Sequence, residues 1–478
     1  MNTKSYECCI IGAGPAGLGV AYELVKQGKT NILIIDKNKQ IGGLSRTEVH
    51  DNIRFDIGPH RFFSNNKEVN NVWHDTLGND FIPVNRLTRI YYKNKYFNYP
   101  VKAFDTLSKL GISESTHAIF SYLLTLFANE REPKTFEDWI SQKFGKKLYS
   151  TFFKTYTEKI WGIPCNEIEA EWAAQRIKGL DIVQVLKSAI SFKKNTKIKT
   201  LVEQFDYPIN GAGQMYEVMA DELVSKGVTI LLDQKINKVN IKNDAVSSIE
   251  VLDSSYKNLQ ITANQFFSSI PFTDFFNLIK PKESETIIND VDKLYFRDHI
   301  TVNLLVDHVD LFPDQWIYIH DPKVNVARIA NYNNFSSKMV SSHTNKTAVS
   351  FEYFVFKNDD VWNKSDDQIA ELAKVELDYL KLFPSTNIEK IWITRETECY
   401  PTYFIGYKES FQRLQKRFNQ LGNIYAIGRG GMYKYNNQDH SLLSGILAAR
   451  KYCSSTPEDI NLWEVNTEKE YHESGERI

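Results

Sequence analysis

"YECCIIGAGPAGLGVAYELVKQG", residues 6–28, decides the fold. Residues 6–11 form a short β-prone run. Gly12, Gly14 and Gly17 then make G-x-G-x-x-G, and the apolar pattern through Leu24 predicts a helix ending near Gly28. A second β-prone run, "TNILIID", ends in Asp36, 19 residues past Gly17. The three glycines serve a tight turn, close approach of a pyrophosphate to the backbone, and packing of helix on strand. The helix N-terminus offers free N–H groups to the phosphates, and Asp36 stands where a ribose hydroxyl would be accepted. A lone glycine motif also occurs in unrelated α/β turns. The flanking strand and helix, with the acid, make this one a dinucleotide cradle.

Composition bounds the rest. The 478 residues are 42% hydrophobic and 24% charged, with formal net charge -1. This is a soluble globular balance with no global pull toward nucleic acid or an anionic membrane. The five cysteines (Cys8, Cys9, Cys165, Cys399 and Cys453) form no C-x-x-C pair. A reduced, cytoplasmic protein with no metal site and no disulfide framework is expected. The N-terminal apolar run is interrupted by glycines, which suits a folded element rather than a leader. No apolar stretch reaches the ~20 residues of a membrane span; "HAIFSYLLTLF", residues 117–127, reads as a buried helix.

Past Asp36, "DKNKQIGGLSRT" adds Gly42 and Gly43. This second glycine pair resembles the FAD-binding superfamily of amine oxidases and protoporphyrinogen oxidase. So do the glycine turn, helix and strand of residues 207–239, "SSIP" at 268–271 and "NIYAIGRGG" at 423–431. The resemblance implies an α/β fold in which a Rossmann-like FAD-binding domain is discontinuous, built from residues 1–84, 201–271 and 420–455. Residues 105–200 carry helical periodicity and form a helical insertion, with Thr135 and Asp138 placed to cap a helix. Residues 85–104 and 272–419 hold β-prone runs and form an antiparallel sheet over the flavin. Residues 456–478 are left as a C-terminal tail. The basic stretch 187–200 reads as a solvated loop, with a mobile lid as its alternative.

A fold does not name a reaction. Further motifs do: "FDIGPHRFFS" (55–64), "YTEKIWGIPCNEIEAEWAAQRIKG" (156–179), "WIYIHDPKVNVARIANY" (316–332), "ECYPTYFIGY" (398–407) and "GRGGMYKYNNQDHS" (428–441). Together they resemble the UDP-galactopyranose mutases and related sugar-nucleotide mutases, including dTDP-fucopyranose mutase. The fungal-type enzymes carry "GNQDHS" where this chain has "NNQDHS", and a glycine-glycine-histidine motif similar to Gly58-Pro59-His60. Their tryptophan-x-x-x-arginine motif is similar to Trp172 through Arg176. The resemblance implies interconversion of pyranose and furanose forms of a nucleotide-linked hexose through a reduced-flavin N5–sugar adduct, in cell-surface polysaccharide (O-antigen) synthesis. NADPH or NADH would reduce the flavin, and a homo-oligomer is possible.

That resemblance assigns residues. His60, Arg176 and Arg328 are the catalytic set: His60 beside the flavin N5, the two arginines clamping the diphosphate. Arginine's planar fork suits that task. Tyr318, Tyr332, Tyr400, Tyr435, Asn437, Trp161 and Tyr99 would bind substrate. Tyr433 is an alternative to Tyr435 as the phosphate ligand, and Trp161 stacks near the base or belongs to the core. FAD contacts would come from Gly12, Gly14, Pro15, Ala16, Gly17, Asp36, Lys37, Gly43, Leu44, Ser45, His60, Val239, Gly428, Arg429, Asn437 and Gln438. Pro59 stands where the family carries glycine, and Lys102 where the fungal-type enzymes carry glutamine, so the base and sugar stay open. Two other readings remain: an FAD oxidoreductase of the amine oxidase kind, which needs an apolar pocket, and a non-catalytic flavoprotein partner.

Overall fold

The computed structural model describes residues 2–99, 101, 103–127, 131–172, 204–255, 257–279, 283–340 and 345–466. Arg176, Lys102 and the basic stretch 187–200 lie outside them. Strand Asn2–Ile11 is the centre of the first sheet. It pairs in parallel with Ile32–Ile35 on one side and with Asn258–Ser268 on the other. Thr229–Leu231 and Ile424–Ala426 extend the parallel part, and the strands Gln234–Lys242 and Ala245–Asp253 add an antiparallel edge.

The local sequence explains this sheet. Alternate residues point to opposite faces, yet "CCII" and "ILII" are apolar throughout, so both faces must be covered. Cys8, Ile10, Ile32 and Ile34 pack under helices Pro15–Lys26, Gln214–Ser225 and Gln438–Cys453. Cys9, Ile11, Leu33 and Ile35 pack under Phe272–Ile279 and Tyr407–Asn419. This is a Rossmann-like layer, built from three separated parts of the chain.

The second sheet runs Ile388–Pro401, Phe296–Val306, Thr347–Val355, Arg328–Asn331, Trp316–Ile319, Thr88–Tyr92, Lys95–Asn98. It departs from the purely antiparallel sheet expected. Trp316–Ile319 and Thr88–Tyr92 pair in parallel, because these strands arrive from distant chain segments and no hairpin dictates their direction. Phe296–Val306 and Thr347–Val355 are buried along their whole length.

Between these sheets in sequence come helices Ala103–Leu110, Ile112–Leu126, Phe136–Leu148 and Thr155–Trp161. Thr135 and Asp138 form a reciprocal capping box at the third of these, at 3.0 and 3.1 Å. Helix Ile112–Leu126 is not the buried helix its apolarity suggested: Phe120, Leu124 and Leu126 on it are exposed. The C-terminal segment is also less tail-like than expected. Leu462 and Val465 are buried, and the Lys434 ammonium donates to the carbonyls of Trp463 and Val465. A few apolar residues in a polar stretch suffice to pin it.

Candidate functional site

A cavity of about 1200 Å³ runs along the C-terminal edge of the parallel strands. The first glycine turn, Asp36–Asn38, Gly43–Ser45, His60 and Gly428–Gly430 line it. Gly17 permits its closest backbone approach: a Cβ there would fall 1.8 Å from the Gly12 carbonyl oxygen. Gly43 has φ +54°, and a Cβ on it would press on Gly14 at 3.2 Å. The two glycine turns therefore lie against each other in the cavity wall. Pro15 opens the helix at its first turn, where a missing N–H costs nothing. Asp36 is buried, and its carboxylate accepts the Ala13 and Asn38 N–H groups at 2.7 Å each. Burial raises its pKa, and those bonds partly offset the rise. The cradle fits the diphosphate and ribose of a dinucleotide, and the cavity exceeds the ~300–1,000 Å³ of an ordinary small-ligand pocket.

Most expected cofactor residues meet here: Gly12, Gly14, Pro15, Ala16, Asp36, Lys37, Gly43, Leu44, Ser45, His60, Gly428, Arg429 and Gln438 line one cavity. Gly17 supports it from behind. Val239 does not line the cavity. It is 3% exposed and packs in the apolar cluster behind the sheet, while Gln234–Asn237 and Leu252–Ser254 line the cavity at that end. Asn436, not Asn437, faces the cavity, and Asn437 is the N-cap residue of the last long helix. Gln438 ties two elements together: its amide donates to the Arg61 carbonyl at 2.8 Å and accepts from the Tyr216 hydroxyl at 2.8 Å.

His60 Nε2 lies 2.9 Å from the Leu44 carbonyl and 3.1 Å from that of Ile57. Only an N–H can serve two carbonyls, so Nε2 carries the hydrogen. Burial, and then Arg429, push its pKa down to about 4, so the ring is neutral near pH 7 and Nδ1 is an acceptor.

Arg328 opens its strand directly opposite Glu352. Its Nη2 donates to Glu352 Oε2 at 2.5 Å, and its guanidinium lies 5.3 Å from the Phe354 ring centre. Burial pushes the Glu352 carboxyl up, but Arg328 and His299 outweigh it and hold it at about 2. Burial would likewise lower the Arg328 pKa, yet Glu352 keeps the guanidinium charged. The motif reading missed Glu352. Its signal was an acid inside "AVSFEYFVF", since a carboxylate in the middle of a buried strand needs a partner.

The tyrosines divide by what their hydroxyls touch. Tyr400 and Tyr435 stack at 5.4 Å, with the Arg429 guanidinium 4.8 and 5.0 Å from their ring centres. Burial pushes the Tyr400 phenol up to about 12, so it stays a neutral donor. Tyr433, in contrast, is 2% exposed, and its hydroxyl lies 2.9 and 3.0 Å from the carbonyls of Thr402 and Tyr295. That leaves Tyr435 of the two as the cleft-side candidate. Tyr332 is fully buried and donates to the Asp56 carbonyl at 2.8 Å, so it is a core residue rather than a ligand. Trp161 is core as well, 2% exposed and packed on Trp172 at 4.7 Å. Tyr318 meets Tyr99 at 4.8 Å and Tyr156 at 5.3 Å. Tyr156, which the motifs had not singled out, stacks on His320 at 4.8 Å.

Residues 10–76 match the model of an NAD(P)-binding Rossmann-like domain. The chain is 30% identical over 175 residues to a probable UDP-galactopyranose mutase of Klebsiella pneumoniae, covering 36% of this chain and 44% of that one. It is 27% identical over 166 residues to the dTDP-fucopyranose mutase of Escherichia coli, covering 34% and 43%. These alignments span under half the length of the curated relatives. Among solved structures, a reduced UDP-galactopyranose mutase superposes with TM-score 0.82 at 21% identity, over 97% of this chain and 99% of that one. A putative protoporphyrinogen oxidase from Exiguobacterium gives 0.72 at 14%, over 94% and 99%. The resemblance to UDP-galactopyranose mutase-like flavoenzymes drawn from the motifs is thus shared by sequence relatives and by the fold. Among the described residues no helix is long and apolar enough to cross a membrane.

Proposed function

We propose that the chain is an FAD-dependent mutase that interconverts the pyranose and furanose forms of a nucleotide-linked hexose, of the UDP-galactopyranose or dTDP-fucopyranose type. The observation that carries this reading is the charged Arg328, with Tyr318 opposite it on the next strand, close to the stacked Tyr400 and Tyr435 whose rings lie against Arg429 of the dinucleotide-sized cavity. An amine or polycyclic substrate calls for an apolar pocket; this grouping suits a diphosphate.

Gly12–Ala16, Asp36 and Gly43–Ser45 would hold the FAD. When bound and reduced, the flavin supplies the nucleophile for the anomeric carbon, so the chain needs no nucleophilic side chain of its own. Arg328 would hold the departing diphosphate, with Arg176 as its expected partner, and the phenols would donate to phosphate oxygens without adding charge. Neutral His60 accepts at Nδ1 rather than serving as an acid. NADPH or NADH is the proposed reductant, and the product would feed polysaccharide assembly in the cytoplasm; a homo-oligomer is compatible with this reading.

The test is direct. The purified flavoprotein is reduced with dithionite under anaerobic conditions and given UDP-galactopyranose and dTDP-fucopyranose in parallel. Furanose product from the reduced protein and none from the oxidised one supports the mutase and selects the sugar. Flavin reduction by an amine, with no furanose, supports an oxidoreductase. Bound FAD with no turnover at all supports a non-catalytic partner.

A further inference from the structure

A line of polar side chains crosses the apolar interior of the second sheet. Arg328 stands opposite Glu352, and Glu352 opposite Thr301. His299 lies two residues before Thr301, on the same face. Glu352 and Thr301 are fully buried and His299 is 3% exposed. Their strand neighbours Ile300, Val302 and Phe351 are core residues, so packing alone gives no reason for a histidine and a carboxylate here.

What each atom can do sets the direction of the bonds. Glu352 Oε2 lies 2.5 Å from Arg328 Nη2 and 3.0 Å from His299 Nε2. An ionised carboxylate only accepts, so His299 donates from Nε2. Thr301 Oγ1 lies 3.3 Å from His299 Nδ1, where its hydroxyl can donate and hold the ring in that tautomer. Glu352 Oε1 and Arg328 Nε are buried without a hydrogen-bond partner among the described residues. One carboxylate oxygen therefore carries both bonds. The turn before His60 also leans on this pair, since a Cβ on Gly58 would come within 2.9 Å of Glu352 Oε2.

We propose that His299 is a positioning residue for Arg328, acting through Glu352. The proposal rests on the reading of Arg328 as a diphosphate ligand. The terminal torsion of a glutamate is broad and roughly two-fold, so a second donor is what selects which oxygen faces Arg328 and at what angle. Losing His299 leaves the charge of Glu352 in place but frees that torsion. The guanidinium then keeps its attraction for a diphosphate and loses its alignment. The loss should fall on turnover rather than on diphosphate binding.

The test uses the full-length, FAD-loaded, reduced protein with His299→Leu, His299→Gln and Thr301→Val. The readouts are flavin content, UDP affinity by calorimetry, and kcat on whichever nucleotide hexose the wild type converts. His299→Leu should lower kcat roughly ten- to a hundredfold with UDP affinity and flavin content unchanged. His299→Gln, which restores an N–H donor, should recover most of that loss. Thr301→Val should fall between them, and it carries the test if the leucine variant does not fold. Equal impairment by leucine and glutamine, wild-type turnover in His299→Leu, or UDP affinity falling in step with kcat would each overturn the proposal. A wild type that binds no UDP and converts neither sugar refutes the functional reading instead. The relay then stands only if His299→Leu, and not His299→Gln, shrinks the stability that Glu352 contributes between acid and neutral pH.

Discussion

Replacing Arg328 with alanine separates what the arginine does for the fold from what it does for a ligand. In the wild type, burial opposes ionisation of Glu352, and Arg328 is the largest influence that restores it, bringing the carboxyl from its usual 4.5 to about 2. A folded-state pKa below the unfolded one contributes stability that is present above about 4.5 and lost as pH falls through about 2. That contribution is on the order of 3 kcal/mol. Without Arg328 the buried carboxyl keeps only its bond from His299, so its pKa moves up from about 2, and a buried charge that has lost its ion-pair partner destabilises the fold at neutral pH by ~3–5 kcal/mol. Below the raised pKa the carboxyl protonates, and the gap to wild type narrows by up to ~1.4 kcal/mol per pH unit. Urea denaturation of both proteins at pH 7 and pH 5 reads this directly. Arg328→Ala/Glu352→Gln should regain much of the stability at pH 7 and none of the turnover. A gap that does not change with pH, or a double variant no more stable than the single one, would refute the ion-pair account.

Gly17→Ala puts a methyl group where the Gly12 carbonyl stands, so the purified protein should carry little or no flavin by visible absorbance. Tyr435→Phe should lower kcat/KM about tenfold, the value of a hydrogen bond to a charged group, with flavin intact. Tyr433→Phe should instead lower stability and leave KM near wild type; the reverse ranking would exchange their roles. His60→Ala should slow the reduced enzyme more than it weakens nucleotide binding. Because burial holds His60 at about 4, the wild-type rate profile should show no histidine inflection between pH 6 and 7. Arg176→Ala is expected to leave FAD bound and cut turnover sharply, and near-normal kcat and KM in that variant would remove it from the clamp.

The dinucleotide cradle was legible in the sequence because its geometry is local. Gly12, Gly14 and Gly17 span a single turn, and the run to Asp36 is one strand–helix–strand unit whose backbone leaves few choices. The parallel seam of the second sheet had no such signal, because it joins residues 88–92 to 316–319. Nor could local pattern rank the tyrosines. Tyr332, Tyr433 and Tyr435 lie in similar aromatic contexts, and only distant carbonyls, those of Asp56 and of Thr402 with Tyr295, take the first two into the core. Nor could local pattern say that Val239 packs into the apolar cluster rather than lining the cavity. Glu352 was visible only as a polar residue among apolar neighbours, and His299, next to Asp298, not even as that. Their partner is set by cross-strand register, a property of three strands brought together and of no one of them alone. Sequence determined the shape of the cradle at the glycine turns, because short-range sterics leave one backbone path there. The tertiary structure decided which side chains meet around Arg328, because those contacts join segments tens to hundreds of residues apart.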